Sequence, residues 1–268
     1  MPGSDPACPP PSPPAGAVAL AERYLDLVER SLMNDIHGES RVEAWLQRWA
    51  LRLAHPWQTR KGGYSWPPRA QTMIGRARLD HLRRLVEIAL SEGIGGDFIE
   101  TGVWRGGACI LMRAVLAAHG AVDRRVFVAD SFEGLPRPDA RAYPADRGDR
   151  LFSFRELAVS QAQVRRNFAA YGLLDDQVVF LEGLFKDTLP RLTDERFALI
   201  RLDGDMYEST MDALTGLYDR LSSGGFVVID DYGVIGACRR AVHDFLDARA
   251  LSPSIEAIDE TGVWWRKP

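Results

Sequence analysis

Cysteine is nearly absent. Cys8, Cys109 and Cys238 are three in 268 residues, odd in number and far apart. That excludes a disulfide framework and a clustered zinc site, and it fits a reducing cytoplasm. Strong charge of one sign is missing too. A net charge of −4 offers no general reason to bind nucleic acid. No apolar run approaches the roughly 20 residues of a membrane-spanning helix. The start of the chain lacks the basic region and apolar core of a signal peptide. The expectation is a cytoplasmic protein with no nucleic-acid or membrane partner. Histidine is scarce: His37, His55, His81 and His119 show no metal-ligand spacing, and His243 reads as a packed or solvated helix residue. There is no internal repeat.

What is present is ordinary for a soluble globular protein: 46 % hydrophobic and 26 % charged residues. The first fourteen residues hold seven prolines, which remove donors and block helix, so residues 1–15 read as a disordered tail. Residues 16–75 read as an N-terminal helical or lid region. Its first helix begins near Ala17 with Leu20, Tyr24, Leu27 and Val28 on one face. Trp45 and Trp49 stand at i, i+4, a spacing that favours packing inward or against a partner. A loop follows Pro56, and its Tyr64 and Trp66 could cover a ligand. The aromatic helices could also support a homo-oligomer. Residues 76–268 form the expected core. A helix begins at Arg76, and then apolar strands alternate with helices: "DFIET", "RVFVAD", "VVFLEG", "FALIRLD" and "GFVVIDD", with helices near 107–119, 153–171, 207–222 and 234–249. That alternation predicts an α/β fold with a mostly parallel sheet covered on both faces.

Two features carry chemistry. "FIETGVWRGGA" leads from a strand into a helix, with Gly102, Gly106 and Gly107 allowing a tight turn and close backbone approach. The dinucleotide fingerprint G-x-G-x-x-G is absent. Glu100 at the strand end would repel a pyrophosphate but suits an ammonium and a sulfonium. Asp130 ends the next strand, where an acid can accept from both ribose hydroxyls. A glycine turn or a capping Asp would each be ordinary alone. Together they favour S-adenosylmethionine. The second feature is acidic: Asp203 ends one strand, Asp230 another, and Asp231 follows. Converging carboxylates repel unless protonated or bridged by a cation, and an all-oxygen set suits Mg²⁺. Asp205 lies two residues beyond Asp203, so extended backbone would place both on one side. It could equally cap the helix starting near Tyr207.

The motifs "FIETGVWRGGA", "VADSFEGLP", "LEGLFKDTLP", "RLDGDMYEST" and "GGFVVIDDYG", in this order, resemble the TylF or macrocin O-methyltransferase family, as does "TMIGRARLDHLRRLVE". The resemblance runs from about Thr72 to the C-terminus. It implies a Rossmann-like methyltransferase fold, seven-stranded with one antiparallel strand near the C-terminus, preceded here by the N-terminal helical extension. It implies an S-adenosylmethionine- and Mg²⁺-dependent O-methyltransferase that acts on a sugar hydroxyl of a glycosylated secondary metabolite. By this resemblance Asp203, Asp230 and Asp231 hold the metal, and Asp205 is the general base. Cofactor contacts fall on Thr72, Met73, Glu100, Thr101, Gly102, Trp104, Asp130, Ser131, Phe132, Gly183 and Phe185. The rival is a haloacid-dehalogenase-like phosphatase or other Mg²⁺-dependent phosphotransfer enzyme, which also shows D-x-D and a later acidic pair. Its D-x-D belongs to the first core strand, whereas here the motif falls on about the fourth. Residues 206–229 also lack its lysine.

Overall fold

The computed structural model describes residues 15–38 and 67–268, with residues 42, 45, 46 and 49 between them. The expected tail up to residue 14 and the aromatics Tyr64 and Trp66 lie outside the described residues. In chain order the elements are α1 (Ala15–Leu32), α2 (Arg76–Ser91), β1 (Asp97–Thr101), α3 (Gly107–Ala118), β2 (Val126–Asp130), α4 (Gln161–Ala170), β3 (Val178–Glu182), α5 (Phe185–Thr188), β4 (Phe197–Leu202), α6 (Tyr207–Leu217), β5 (Leu221–Ile229), α7 (Gly236–Ala248), β6 (Glu256–Ala257) and β7 (Val263–Arg266). They build one seven-stranded sheet of order β3-β2-β1-β4-β5-β7-β6. The first five strands pair in parallel, and β7 runs antiparallel to both β5 and β6.

The central strands are apolar runs because both their faces are covered. Every residue of β1 and of β4 is buried. On one face Phe98, Val126, Val128 and Leu199 pack against α1 to α4, and on the other Ile99, Phe127, Ile200 and Val227 pack against α6 and α7. Leu25, Val28 and Leu32 of α1 share a core with Leu79, Leu82 and Val86 of α2, so this first helix is continuous with the body of the protein. No helix among the described residues is long and apolar enough to cross a membrane.

Three local expectations change. In α1 the buried face runs through Leu25, Val28 and Leu32, while Leu20 and Leu27 are exposed, because the neighbouring helices meet the stripe one position further round. The helix expected over 153–171 starts at Gln161, where the Ser160 hydroxyl accepts the Gln163 amide and caps it. Leu157 therefore lies in a short 3₁₀ turn packed against Trp104 and Phe154. Trp45 and Trp49 do not pack inward. They stack on each other at 6.5 Å and remain exposed, with Val42 and Leu46 exposed beside them at helical spacing.

Candidate active site

Strand register assembles the site. Thr101 pairs with Ala129 on one side and Leu202 on the other, and Leu202 pairs with Ile229. The next residue of each strand therefore falls in one row across the carboxyl edge. The ladder continues one step into that row, through Gly183 N–H to Asp130 O, Gly102 N–H to Ala129 O, Asp203 N–H to Thr101 O and Asp230 N–H to Leu202 O, each 2.9 Å. Between β1 and β4 the strand order reverses direction, the place where an open α/β sheet opens a crevice for ligands.

The loops leaving this edge are strained. Trp104, Phe132 and Asp205, after β1, β2 and β4, all have left-handed φ of 47°, 56° and 60°. Such backbone persists only where its surroundings over-determine it, and it gathers at functional sites. At Gly102 (φ 85°) the cause is visible: a Cβ there would stand 1.8 Å from the Asp203 carbonyl oxygen. This glycine lets two strand ends cross, in addition to lining the crevice.

Two adjoining cavities fill the crevice. The first, about 330 Å³, is bordered by Asp130, Ser131, Gly183 and Phe185, and the second, about 210 Å³, by Thr72, Arg78, Glu100, Arg201, Asp230 and Asp231. Met73, Trp104, Asp203 and Asp205 border both. The first combines a strand-end acid, a hydroxyl and an aromatic ring, a lining that suits a nucleoside. Thr72 and Met73 reach the crevice because Gly107 lets the 71–72 segment cross α3: its Cβ would meet Gln71 O at 2.5 Å. Phe185 is half-buried, lining the first cavity and also packing on the core.

Some expected contacts are corrected. Thr101 is fully buried and lines neither cavity, because side chains alternate along a strand and it shares the face of Ile99. The Phe132 ring is in the core against Phe180, so this residue offers the site only its backbone. Asp130 already accepts from the amides of Val103 and Phe132, each at 2.8 Å, which ties two loops together; only its remaining lone pairs face the cavity. Burial raises its pKa. Glu100 lies on the floor, 2 % exposed, and its charge is answered from below: Arg201 binds one oxygen and the Cys109 thiol donates to the other at 2.8 Å. Burial still pushes it to about 7.

Arg201 was not anticipated, and it organises the acids. Fully enclosed in β4, its guanidinium donates to Glu100, to Asp203 Oδ2 at 2.8 Å and to Asp230 Oδ1. Arg78, from the first turn of α2, holds Asp230 Oδ2. The signal was present in "FALIRL", where a guanidinium in the middle of a buried strand requires carboxylate partners. Among the described residues, no lysine or arginine pairs directly with Asp205 or Asp231. Burial first, and then the neighbouring acids, raise both well above the usual carboxylate range, and Asp230 reaches about 6 for the same leading reason despite its arginines.

Asp205 stands beside Asp231 by a route other than the expected one. The chain leaves the strand at Leu202 and turns at Gly204 and left-handed Asp205, whose amide donates to Asp231 Oδ2 at 3.3 Å. Nor does Asp205 cap the following helix. The carboxylate of Asp146, from a distant loop, accepts the amides of Tyr207 at 2.7 Å and Glu208 at 3.0 Å. That leaves the Asp205 carboxylate free for the crevice. One oxygen from each of Asp203, Asp230 and Asp231 lies within 4.8 Å of the others. Opposite ligands of an octahedral Mg²⁺ are about 4.2 Å apart, twice the Mg–O distance. A small side-chain adjustment closes the set on such an ion, and its all-oxygen chemistry fits.

The comparisons with known proteins agree with this geometry. The model of the macrocin-O-methyltransferase (TylF) family matches residues 21–267. The chain is 53 % identical over 244 residues to the 8-demethyl-8-(2,3-dimethoxy-alpha-L-rhamnosyl)-tetracenomycin-C 4'-O-methyltransferase of Streptomyces olivaceus, covering 91 % of this chain and 92 % of that one. It is 48 % identical over 249 residues to the mycinamicin III 3''-O-methyltransferase of Micromonospora griseorubida, covering 92 % and 96 %. The solved structure of the O-methyltransferase NovP superposes with a TM-score of 0.82 at 42 % identity, over 92 % of this chain and 99 % of that one. The phosphatase alternative falls with these matches and with the position of Asp203 at the end of β4. The protein is an O-methyltransferase with the Rossmann-like methyltransferase fold, and it belongs to the TylF macrocin-O-methyltransferase family.

Proposed function

We propose that this enzyme transfers the methyl group of S-adenosylmethionine to a sugar hydroxyl of a glycosylated, antibiotic-type natural product, with Mg²⁺ held by Asp203, Asp230 and Asp231. The observation that carries the reading is the three-acid set at the crevice floor, with an uncapped, unpaired Asp205 beside it. The relatives named for methylating glycosylated antibiotics support the substrate class.

When bound, the cofactor supplies an electrophilic methyl group, and the metal supplies Lewis acidity and a template for neighbouring oxygens. The chain's own residues do the rest. Asp130, Ser131, Gly183 and Phe185 receive the nucleoside in the first cavity, while Met73 and Trp104 stand between that cavity and the acids. Asp205 lines both cavities and takes the acceptor proton. Its raised pKa makes it a stronger base than an exposed aspartate, closer to the range that general-base catalysis favours. Arg201 and the β4 backbone hold Asp203 and Asp230 still, so the reacting groups are oriented before they meet. The reading retains the homo-oligomer expected from the sequence, which light scattering of the purified protein decides.

Asp205→Asn tests the base. We expect S-adenosylhomocysteine and Mg²⁺ affinity close to wild type by calorimetry, and turnover lower by about 10²- to 10⁴-fold. Near-native turnover rejects Asp205 as the base. A deoxy acceptor lacking the hydroxyl adjacent to the methylated one should also lose turnover, because two neighbouring oxygens would fill open metal positions.

A further inference from the structure

The fold places a second basic group on a proposed metal ligand, and the two arginines that hold Asp230 differ in what they can do next. Arg201 is fully enclosed and its guanidinium serves three acids at once, Glu100, Asp203 and Asp230. It has nowhere to go. Arg78 is 17 % exposed and has an alternative partner in reach: its Nε lies 3.0 Å from Asp259 Oδ2 while its Nη1 holds Asp230 Oδ2. Asp259 is itself fixed. Its other oxygen, Oδ1, accepts the amides of Thr261 and Gly262, each at 2.8 Å, in the turn between β6 and β7. That turn packs on the loop after Asp231, with Gly233 N–H donating to Thr261 O at 2.7 Å.

Both oxygens of Asp230 are thus engaged by guanidinium groups, and a metal ion needs one of them. We propose that Arg78 is a placeholder cation: it pairs with Asp230 before the divalent ion arrives, and yields that oxygen by turning to Asp259 when the ion binds. This rests on the metal reading above. Arg78 and Arg201 together offset part of the negative charge of the crevice. It also ties metal occupancy to α2 and to the β6–β7 turn, the two elements Arg78 bridges.

The test is metal binding without acceptor or cofactor, by Mg²⁺ calorimetry and Mn²⁺ electron paramagnetic resonance on the full chain. Removing a competing positive charge within a few ångströms of the ion should strengthen binding, so Arg78→Met should lower the Mg²⁺ dissociation constant about tenfold or more, while the metal-free protein melts at a lower temperature. Arg78→Lys, which keeps the charge, should stay near wild type. Asp259→Asn should act in the opposite sense. Its amide oxygen can keep the turn, but Arg78 loses its second anchor and stays on Asp230, so metal binding weakens. Weaker or unchanged binding in Arg78→Met, or tighter binding in Asp259→Asn, overturns the placeholder role. Wild-type protein that binds neither ion overturns the metal reading itself, and the placeholder with it.

Discussion

Two kinds of acid share the crevice. Glu100 and Asp230 meet guanidinium groups, whereas among the described residues Asp205 and Asp231 pair with no lysine or arginine, and the Asp231 carboxylate accepts the Asp205 amide. The paired acids are the deeper ones, at 2 % and 4 % exposure, and guanidinium groups offset their charges. The half-buried acids keep their lone pairs turned to the cavities. The contrast teaches that the crevice is built in two layers: a fixed layer of ion pairs around Arg201, and a working layer on top that is left electrostatically unfinished. The fixed layer contributes Asp203 and Asp230 to the proposed metal set, the second layer contributes Asp231 and the proposed base Asp205, and the ion pairs keep both in place.

Breaking the fixed layer should have the largest effect. Arg201→Met leaves Glu100, Asp203 and Asp230 without their shared cation, and removing one partner of a buried pair typically costs about 3–5 kcal/mol. We expect a loss of that order in urea denaturation, together with loss of metal binding. Arg201→Lys should recover only part of it, because a point charge cannot bridge three carboxylates as a planar fork does. Full stability of Arg201→Met would remove the two-layer distinction.

A smaller effect should follow from the support that frees Asp205. Asp146→Ala removes the acceptor for the first amides of α6, and losing a helix cap costs about 1 kcal/mol, up to about 2. The same change should lower turnover with little change in cofactor affinity, since Asp205 would be drawn toward the uncapped helix end. Loss of stability with unaltered kinetics would show that the cap and the base are independent.

A pH-dependent effect lies outside the crevice. Glu29 of α1 is fully buried, its oxygens lack hydrogen bonds, and Arg76 stands 3.2 Å away. Burial, followed by the charge of Asp80, raises its pKa from 4.5 to about 7 against the pull of Arg76 and Arg83. A raised folded-state value means that the native protein keeps a proton the unfolded chain releases, so stability contributed by this group falls as pH rises from about 4.5 to about 7. Glu29→Gln should remove that slope: its advantage in melting temperature should grow across the window and level off above it. An advantage independent of pH would place the cause in packing.

How much of this was legible in the sequence follows from range. The strands, their parallel order, the C-terminal hairpin and the acids at strand ends are local signals, and "DFIET", "FALIRLD" and "GFVVIDD" stand where expected. The family motifs carried the identity of the crevice. What was not legible depends on partners distant in the chain. The capping alternative for Asp205 is settled only by Asp146, some sixty residues earlier, which accepts the first amides of that helix. Glu100 borders the second cavity as expected, but its pairing with Arg201 from the neighbouring strand has no local signal. The Thr101 and Phe132 side chains turn away from the cavities because a motif marks backbone position, while strand alternation and core packing decide where the side chain goes. Trp45 and Trp49 have the spacing of a buried stripe, but no described element covers them.

We propose that a divalent ion on Asp203, Asp230 and Asp231 completes the crevice before a sugar oxygen can be methylated. The most direct measurement is methyl transfer from labelled S-adenosylmethionine to a glycosylated acceptor by exhaustively chelated enzyme, followed by titration with Mg²⁺. No detectable product is expected after chelation, with turnover restored by Mg²⁺. Full turnover by the metal-free enzyme would contradict it.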